Sequence, residues 1–250
     1  MNPIVLIPAR MAATRLPGKP LADIAGLPMI VRVLKQALAA DVGPVAVAAG
    51  DAEIAEAIRA AGGTAVLTDP DLPSGSDRIL AALAELDPNA HHDVVINLQG
   101  DMPFVAPSVL KACAGLLRDH SGCDIATVVA PESSPADRTN PDVVKCVLAR
   151  EDGADFGRAL YFTRGALYGD GPVWRHIGIY GYRRGALQRF NAAHPSPLEL
   201  REKLEQLRAM ELGLSIWAAI ADDAPISVDN PSDLERARAF ARGLDVGGQT

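Results

Sequence analysis

Ile4-Val5-Leu6-Ile7 is a run of four apolar residues, rich in β-branched types, that leads directly into Pro8 and a loop of cations. A short apolar run of this kind bounded by proline reads as a buried strand that stops at Pro8. Arg10, Arg15 and Lys19 follow within eleven residues, and Asp23 is the first carboxylate in the chain. The C-terminal end of a first strand is where an open α/β sheet binds its ligand. Arg presents a planar fork of donors and Lys a point charge, and both suit phosphate oxygens, so the loop reads as a triphosphate cradle. A solvated basic loop is the alternative. A Walker A loop is excluded because position 13 is Ala and Pro20 follows Gly18-Lys19. The G-x-G-x-x-G dinucleotide fingerprint is absent from the loop.

The cations stand out against a formal net charge of −7 over 250 residues, a balance that disfavours a nucleic-acid binder. A chain of this length buries enough apolar surface to fold without disulfides. Cys113, Cys123 and Cys146 fit no zinc spacing and read as reduced, packed residues of a cytoplasmic protein. No apolar run approaches the ~20 residues of a membrane span, and a core strand rather than a signal peptide opens the chain.

Beyond the loop, Met29, Ile30, Val33, Leu34, Ala37 and Leu38 recur at helical spacing up to Gly43-Pro44. Val45 to Ala49 is a strand, Asp51 can cap the next helix, and Thr64 to Leu67 is again a strand. Strand and helix in alternation predict a parallel sheet. Ser74 or Ser76 caps a helix beginning near Gly75, and a capped N-terminus also offers free N–H groups to an anion. Asp93 to Leu98 is the clearest central strand, running into Gln99-Gly100-Asp101. Asp101 reads either as a turn residue or as a ligand for a hard cation; beside a triphosphate cradle the second reading prevails, since Mg²⁺ is held by one or two carboxylates plus phosphates.

Strands are expected over 124–130, 143–149, 158–163, 176–182 and 214–220, with a proline-containing excursion at 131–141. Gly178 and Gly181 within the His176 strand predict a bulge or a close backbone approach. Ser196-Pro197-Leu198-Glu199 is a capping box opening one helix to about Leu212, with Leu200, Leu204, Leu207 and Met210 as its apolar stripe. Glu202, Glu205, Arg201, Lys203 and Arg208 read as its solvated face. Val228-Asp229 ends a further segment, and Ser232 with Glu235 reads as a second capping box. The tail after Gly243 is expected to be disordered.

Taken together, these motifs resemble the 3-deoxy-manno-octulosonate cytidylyltransferase (CMP-Kdo synthetase) family across nearly the whole chain. The matching pieces are Ile7-Pro8-Ala9-Arg10, Thr14 to Leu21, Ser74 to Arg78, Leu98 to Asp101, Leu160 to Arg164, His176 to Tyr182, Ser196 to Glu199, Leu204 to Arg208 and Val228 to Glu235. The resemblance implies an α/β, Rossmann-like nucleotidyltransferase fold with a mostly parallel central sheet flanked by helices. It implies one domain over 1–245, a small dimerisation and sugar-binding excursion at about 131–195, and a disordered tail at 246–250. It implies transfer of CMP from CTP to the anomeric hydroxyl of the acid sugar Kdo, for lipopolysaccharide assembly, by a Mg²⁺-dependent cytoplasmic homodimer that engages neither nucleic acid nor membrane. By the same resemblance, Pro8, Ala9, Arg10, Arg15, Lys19, Ser74, Gly75, Arg78 and Gly100 seat the nucleotide, and Asp101 and Asp229 hold the metal. Arg10, Lys19, Asp101 and Asp229 carry the catalysis. Gln99, Arg164, His176, Tyr180, Glu205 and Gln206 are placed on the sugar. The chain departs from the family pattern at Met102, in the short stretch Gly165 to Gly171, and at Ser227 and Asn230, which leaves amino-Kdo or sialic acid as an alternative substrate.

Overall fold

The computed structural model describes residues 1–12 and 15–247, the last four of them by backbone alone. The chain divides into two compact units of interleaved segments. Ile4–His91, Asn97–Pro107 and Pro225–Thr250 form the N-terminal unit; Met1–Pro3, His92–Ile96 and Ser108–Ala224 form the central unit. The central unit is thus larger than the excursion expected at 131–195.

In the N-terminal unit, β1 (Pro3–Ala9) is followed by a small hairpin, β2 (Asp23–Ile24) and β3 (Leu27–Pro28), with Ala25 and Gly26 both at positive φ. That is the backbone twist a two-residue hairpin turn requires. Next come α1 (Met29–Ala40), β4 (Val45–Ala49), α2 (Ala52–Ala60), β5 (Thr64–Leu67) and α3 (Gly75–Leu86). The strands pair in parallel in the order β5-β4-β1, as the alternation predicts. β1 does not stop at Pro8. Val5 N–H and Ala9 C=O are the groups bonded toward the β4 side, so the missing N–H of Pro8 faces away from that pairing and costs it nothing. α1 buries Met29, Ile30, Val33, Leu34 and Ala37 but leaves Leu38 exposed. It ends at Asp41 in the left-handed region, ahead of Gly43, because a short Asp side chain tolerates that conformation.

The central unit runs through β6 (Val94–Asn97), α4 (Pro107–Asp119), β7 (Ile125–Pro131), β8 (Lys145–Ala149), β9 (Phe156–Thr163), β10 (Trp174–Arg183), α5 (Arg184–Ala192), α6 (Pro197–Glu202), α7 (Gln206–Glu211) and β11 (Ile216–Ile220). Its sheet order is β6-β10-β7-β11-β9-β8. β7 and β11 pair in parallel, while β10–β7, β11–β9, β8–β9 and β10–β8 are antiparallel. The parallel character is therefore concentrated in the N-terminal unit. Among the described residues no helix is long and apolar enough to cross a membrane.

The helix expected from Ser196 to Leu212 is two helices. The capping box at Ser196 and Glu199 forms as predicted, but Lys203 turns into the left-handed region and ends α6. The break brings Arg208 back to Glu199, where its guanidinium forks both carboxylate oxygens at 2.8 and 2.9 Å. On a continuous helix residues nine apart would lie roughly 13 Å apart along the axis. Arg208 is 9% exposed and Leu200 66% exposed, so the expected solvated face and apolar stripe are both revised.

α8 (Pro231–Gly247) returns to the N-terminal unit, where Leu234, Ala237 and Ala241 pack on Ile24, Met29 and Val228. Its cap is Asn230 with Asp233 rather than Ser232 with Glu235. Asn230 Oδ1 accepts the Asp233 N–H at 3.0 Å, and the Asp233 carboxylate accepts the Asp229 and Asn230 N–H groups. The helix carries 244–247, and the rest of the expected tail, 248–250, lies outside the described residues.

The glycines of β10 mark the predicted bulge, where the register with β7 shifts between Ile177 and Tyr180. Buried Thr127 fills it, its hydroxyl donating to Ile179 O at 2.8 Å. With that hydrogen spent, the Thr127 oxygen accepts from His176 Nε2 at 3.0 Å, which fixes the Nε2–H tautomer. A side chain beyond Cα at Gly181 would meet Leu117 and Ile96 within 3.0 Å, so the strand passes close to its neighbours there.

Two outcomes follow for stability. Arg208→Met would leave the partly buried Glu199 carboxylate with the Ser196 N–H but without its ion pair, with an expected loss of about 2–3 kcal/mol in urea unfolding; a loss under about 1 kcal/mol would show that the pair does not hold the α6–α7 turn. Burial pushes the His176 imidazole down to about 3. The unfolded state therefore takes up this proton first as pH falls below about 6.5, and the folded state only near its own lower value. Stability is full above that range and declines through it, by at most about 1.4 kcal/mol per pH unit from this one group. Urea midpoints of wild type should fall more steeply from pH 6.5 to 4.5 than those of His176→Gln, and parallel slopes would remove His176 as the cause.

Candidate active site

The strand ends of the N-terminal unit build one cavity of about 350 Å³. Pro8, Ala9, Arg10, Arg15, Lys19, Ser74, Gly75, Arg78, Gln99, Gly100, Asp101 and Asp229 all line it. Every residue placed on the nucleotide or the metal is thus in one wall, together with Gln99 from the sugar set. Thr14, part of the same loop motif, lies outside the described residues.

Backbone proximity explains the glycines. A Cβ at Gly100 would stand 2.9 Å from the Pro8 carbonyl oxygen, and one at Gly75 would stand 3.3 Å from Pro8 Cγ. Leu98 N–H bonds Leu6 O at 3.1 Å just before this crossing, so Gln99-Gly100-Asp101 emerges beside the Pro8-Ala9-Arg10 turn. Ser74 caps α3 by accepting the Asp77 N–H at 3.1 Å, as one of the two sequence readings has it. Its hydroxyl also reaches Asp77 Oδ2 and Ser76.

The charges in the cavity are cross-paired. Lys19 Nζ lies 2.9 Å from Asp101 Oδ2 and 3.5 Å from Asp229 Oδ1, and Arg15 lies 3.2 Å from the same Asp229 oxygen. Burial pushes the Asp101 carboxyl up, Lys19 pulls it down, and Asp229 adds a further upward push. Val228 N–H bonds the Asp101 carbonyl at 2.9 Å, which sets the two acids side by side. Arg10 is exposed and has no hydrogen bond or ion pair among the described residues.

Arg78 is less available than its sequence role implies. It is 2% exposed, and its guanidinium donates to Thr68 Oγ1 at 2.6 Å, Asp69 O at 2.9 Å and Pro70 O at 3.1 Å. Burial and the neighbouring Arg10 lower its pKa. It holds the 68–70 loop and contributes its remaining face to the cavity.

Sequence reasoning missed two supports. Asp51 does not cap α2 with its side chain; its carboxylate accepts the Met11 N–H at 2.7 Å and pins the cation loop. A Cβ at Gly50 would stand 2.7 Å from Arg78 Nη1 and 3.2 Å from Arg10 Cβ, so glycine lets both arginines pass. Gly50-Asp51 follows an apolar strand, the same signal that singled out Gly100-Asp101, and could have been read in the same way.

The other sugar candidates lie in the central unit. His176 and Tyr180 are ring neighbours at 5.3 Å in a series from Phe162 through Tyr182 to Phe190, on which Arg208 stacks at 4.4 Å. Burial, then Tyr182 and Glu205, raises the Tyr180 hydroxyl well above its usual value, keeping it a neutral donor. Gln206 is 7% exposed, and its buried Nε2 has no hydrogen-bond partner among the described residues. Arg164 points its guanidinium at Pro141 O at 3.0 Å.

Two carboxylates beside a phosphate cradle form the oxygen donor set that Mg²⁺ takes up together with substrate phosphates. Four cations, Arg10, Arg15, Lys19 and Arg78, face two acids in the cavity wall, a surplus of two positive charges. A triphosphate carries roughly four negative charges, so a divalent ion closes the balance and the residues fit the metal.

Comparison with known proteins agrees with this geometry. The cytidylyltransferase family model matches residues 4–216. The chain is 58% identical to the 3-deoxy-manno-octulosonate cytidylyltransferase of Parvibaculum lavamentivorans, over 95% of this chain and 92% of that protein. It is 56% identical to the enzyme of the same name from Methylobacterium radiotolerans, over 97% and 98%. A solved structure of CMP:2-keto-3-deoxy-manno-octonic acid synthetase complexed with CTP superposes with a TM-score of 0.88 at 36% identity, covering 98% of this chain and all of that one. The fold and the family expected from the motifs are therefore found, and the chain belongs to the 3-deoxy-manno-octulosonate cytidylyltransferases.

Proposed function

We propose that this protein transfers CMP from CTP to the anomeric hydroxyl of Kdo, releasing pyrophosphate. The single observation that carries the reading is the cavity in which a surplus of fixed cations surrounds a pair of strand-end carboxylates. The oxygen of the sugar hydroxyl attacks the α-phosphorus, the bond to the bridging oxygen breaks, and pyrophosphate departs in line. Such a reaction needs mainly positioning and neutralisation of charge. Arg10, unpaired among the described residues, Arg15 and Lys19 are assigned to the phosphate oxygens, and the α3 N-terminus at Ser74-Gly75 adds backbone donors. Asp101 and Asp229 would hold Mg²⁺, which when bound supplies charge neutralisation and a lowered pKa for the attacking hydroxyl.

Lys19 must then leave the carboxylates it holds and turn to the phosphates. Its ammonium lies between the two acids until nucleotide arrives. On the sugar side, the orphaned Gln206 Nε2 and the neutral Tyr180 hydroxyl are donors suited to sugar oxygens, and Arg164 to the carboxylate. A cytoplasmic homodimer acting in lipopolysaccharide assembly is the setting we propose from the resemblance of the motifs.

Purified protein with CTP and Mg²⁺ should release pyrophosphate with Kdo and not without it. Release with amino-Kdo or sialic acid alone would retain the chemistry and reject the substrate. Asp101→Asn should lower kcat by at least about 100-fold with the fold unchanged by circular dichroism; wild-type turnover would remove Asp101 from the metal. Lys19→Met should tighten nucleotide-free Mn²⁺ binding, followed by electron paramagnetic resonance, by about tenfold through loss of the competing ammonium. Unchanged or weaker binding would show that Lys19 does not occupy the cation's place.

A further inference from the structure

Lys145, the first residue of β8, is 0% exposed, and it is among the largest fully buried side chains of the protein. Its ammonium is not paired with an acid. Nζ donates to Asn140 O at 2.9 Å and to Arg164 O at 2.7 Å, and no carboxylate lies within ion-pair distance among the described residues. Burial, and after it the charge of Arg164, lowers the pKa of the amine. Burying an ammonium costs several kcal/mol even after relaxation, and a neutral donor would satisfy carbonyl oxygens at a lower desolvation cost. Packing alone therefore does not account for a lysine here.

What the ammonium joins is specific. Arg164 ends the β9 turn, and Asn140-Pro141 belongs to the loop before β8. The Arg164 guanidinium bonds Pro141 O, so Lys145 and Arg164 close a ring through residues 140, 141 and 164. On its other side, β8 meets the His176 strand: Val144 O accepts His176 N–H at 2.9 Å, and Lys145 pairs with Arg175. Lys145 pairs with Thr163 across β8–β9 as well. It stands between Arg164 and His176, two side chains with sugar roles in the proposed reaction. Glu202 completes the frame by accepting from Thr163 Oγ1 at 3.2 Å and Arg164 N at 3.4 Å. Among the described residues the Arg164 guanidinium meets a neutral carbonyl and no carboxylate, which leaves its charge to an anion.

We propose that Lys145 is a positioning residue that fixes the Arg164 guanidinium, through the carbonyl oxygens of Asn140 and Arg164, for the carboxylate of the acid sugar. The inference rests on the reading that Arg164 receives that carboxylate, and the experiment separates the two. Kinetics are measured for wild type, Lys145→Met, Arg164→Ala and the double variant, with each substrate varied in turn. Arg164→Ala raising the KM for Kdo tests the underlying reading without touching Lys145. Lys145→Met is expected to raise the KM for Kdo about tenfold and that for CTP less than about twofold. In the Arg164→Ala background Lys145→Met should add nothing, since its effect runs through Arg164. A multiplicative effect in the double variant, an equal rise for both substrates, or an unchanged Kdo KM overturns the proposal. Should Lys145→Met not fold, Lys145→Leu, which likewise lacks donors for the two carbonyls, goes through the same cycle under the same criteria.

Discussion

The ammonium of Lys19 is where three distant parts of the chain meet. It sits in the loop after the first strand, yet it bonds Asp101, 82 residues on, and approaches Asp229 near the last helix. Each of those segments would otherwise bring like charge to one place: the loop gathers cations, and the two acids lie side by side. Opposite charges interleaved at about 3 Å neutralise both repulsions, which in a partly buried cleft is worth more than on open surface. Lys19 opposes the burial that pushes the Asp101 carboxyl up. The resting cavity is therefore an ion-paired arrangement that a divalent ion and a polyphosphate can replace pair for pair. Arg10 and Arg78 stand outside the ion pairs: Arg78 is bonded to the 68–70 loop, while Arg10 is exposed and without a partner among the described residues.

Close backbone passage gives this charge pattern its geometry. Gly100 slides under the Pro8 carbonyl and Gly50 lets Arg78 and Arg10 pass, in both cases at distances a side chain would violate. Arg78 spends its donors on the 68–70 loop, and Asp51 spends its carboxylate on the Met11 N–H. Neither is a ligand group in this arrangement; both are what hold the ligand groups still. A phosphate cradle built on rigid neighbours loses less entropy on binding than one built on free loops.

The parts of this design that a sequence shows are the local ones. The apolar run before Pro8, the strand running into Gly100-Asp101, the Ser74 and Ser196 caps and the glycines of the β10 bulge each carry their signal within a few residues, and each is found. What it does not show depends on partners remote in sequence. Lys203 turns left-handed against its helical neighbours because Glu199 and Arg208 gain a forked pair by the break. Asp51 abandons a cap for an amide 40 residues away, and Asn230 takes the cap that Ser232 seemed placed to make. Among the site residues, all those near the cations fell into one cavity because strand ends in a parallel sheet share an edge. Arg78 was misjudged in degree, since no local pattern reveals that its donors are already committed.

The buried cations of the central unit sort by what they are paired with. Arg208 has carboxylate partners on Glu199 and Glu205 and a ring beneath it, so its charge is spent within the fold. Among the described residues, Lys145 and the partly exposed Arg164 hydrogen-bond carbonyls alone through their charged groups, and Asp137 acts on the Lys145 charge from a longer distance. A protein that needed merely to tie these loops together could do so with neutral donors at lower desolvation cost. Two adjacent positive charges held by dipoles instead keep a field directed at whatever lies beside Arg164, and a carboxylate is the species that such a field, with a planar fork of donors, retains. The same chain thus neutralises Arg208 with carboxylates, where it builds the fold, and holds Lys145 and Arg164 with carbonyls beside the place that the proposed reaction gives to the sugar carboxylate.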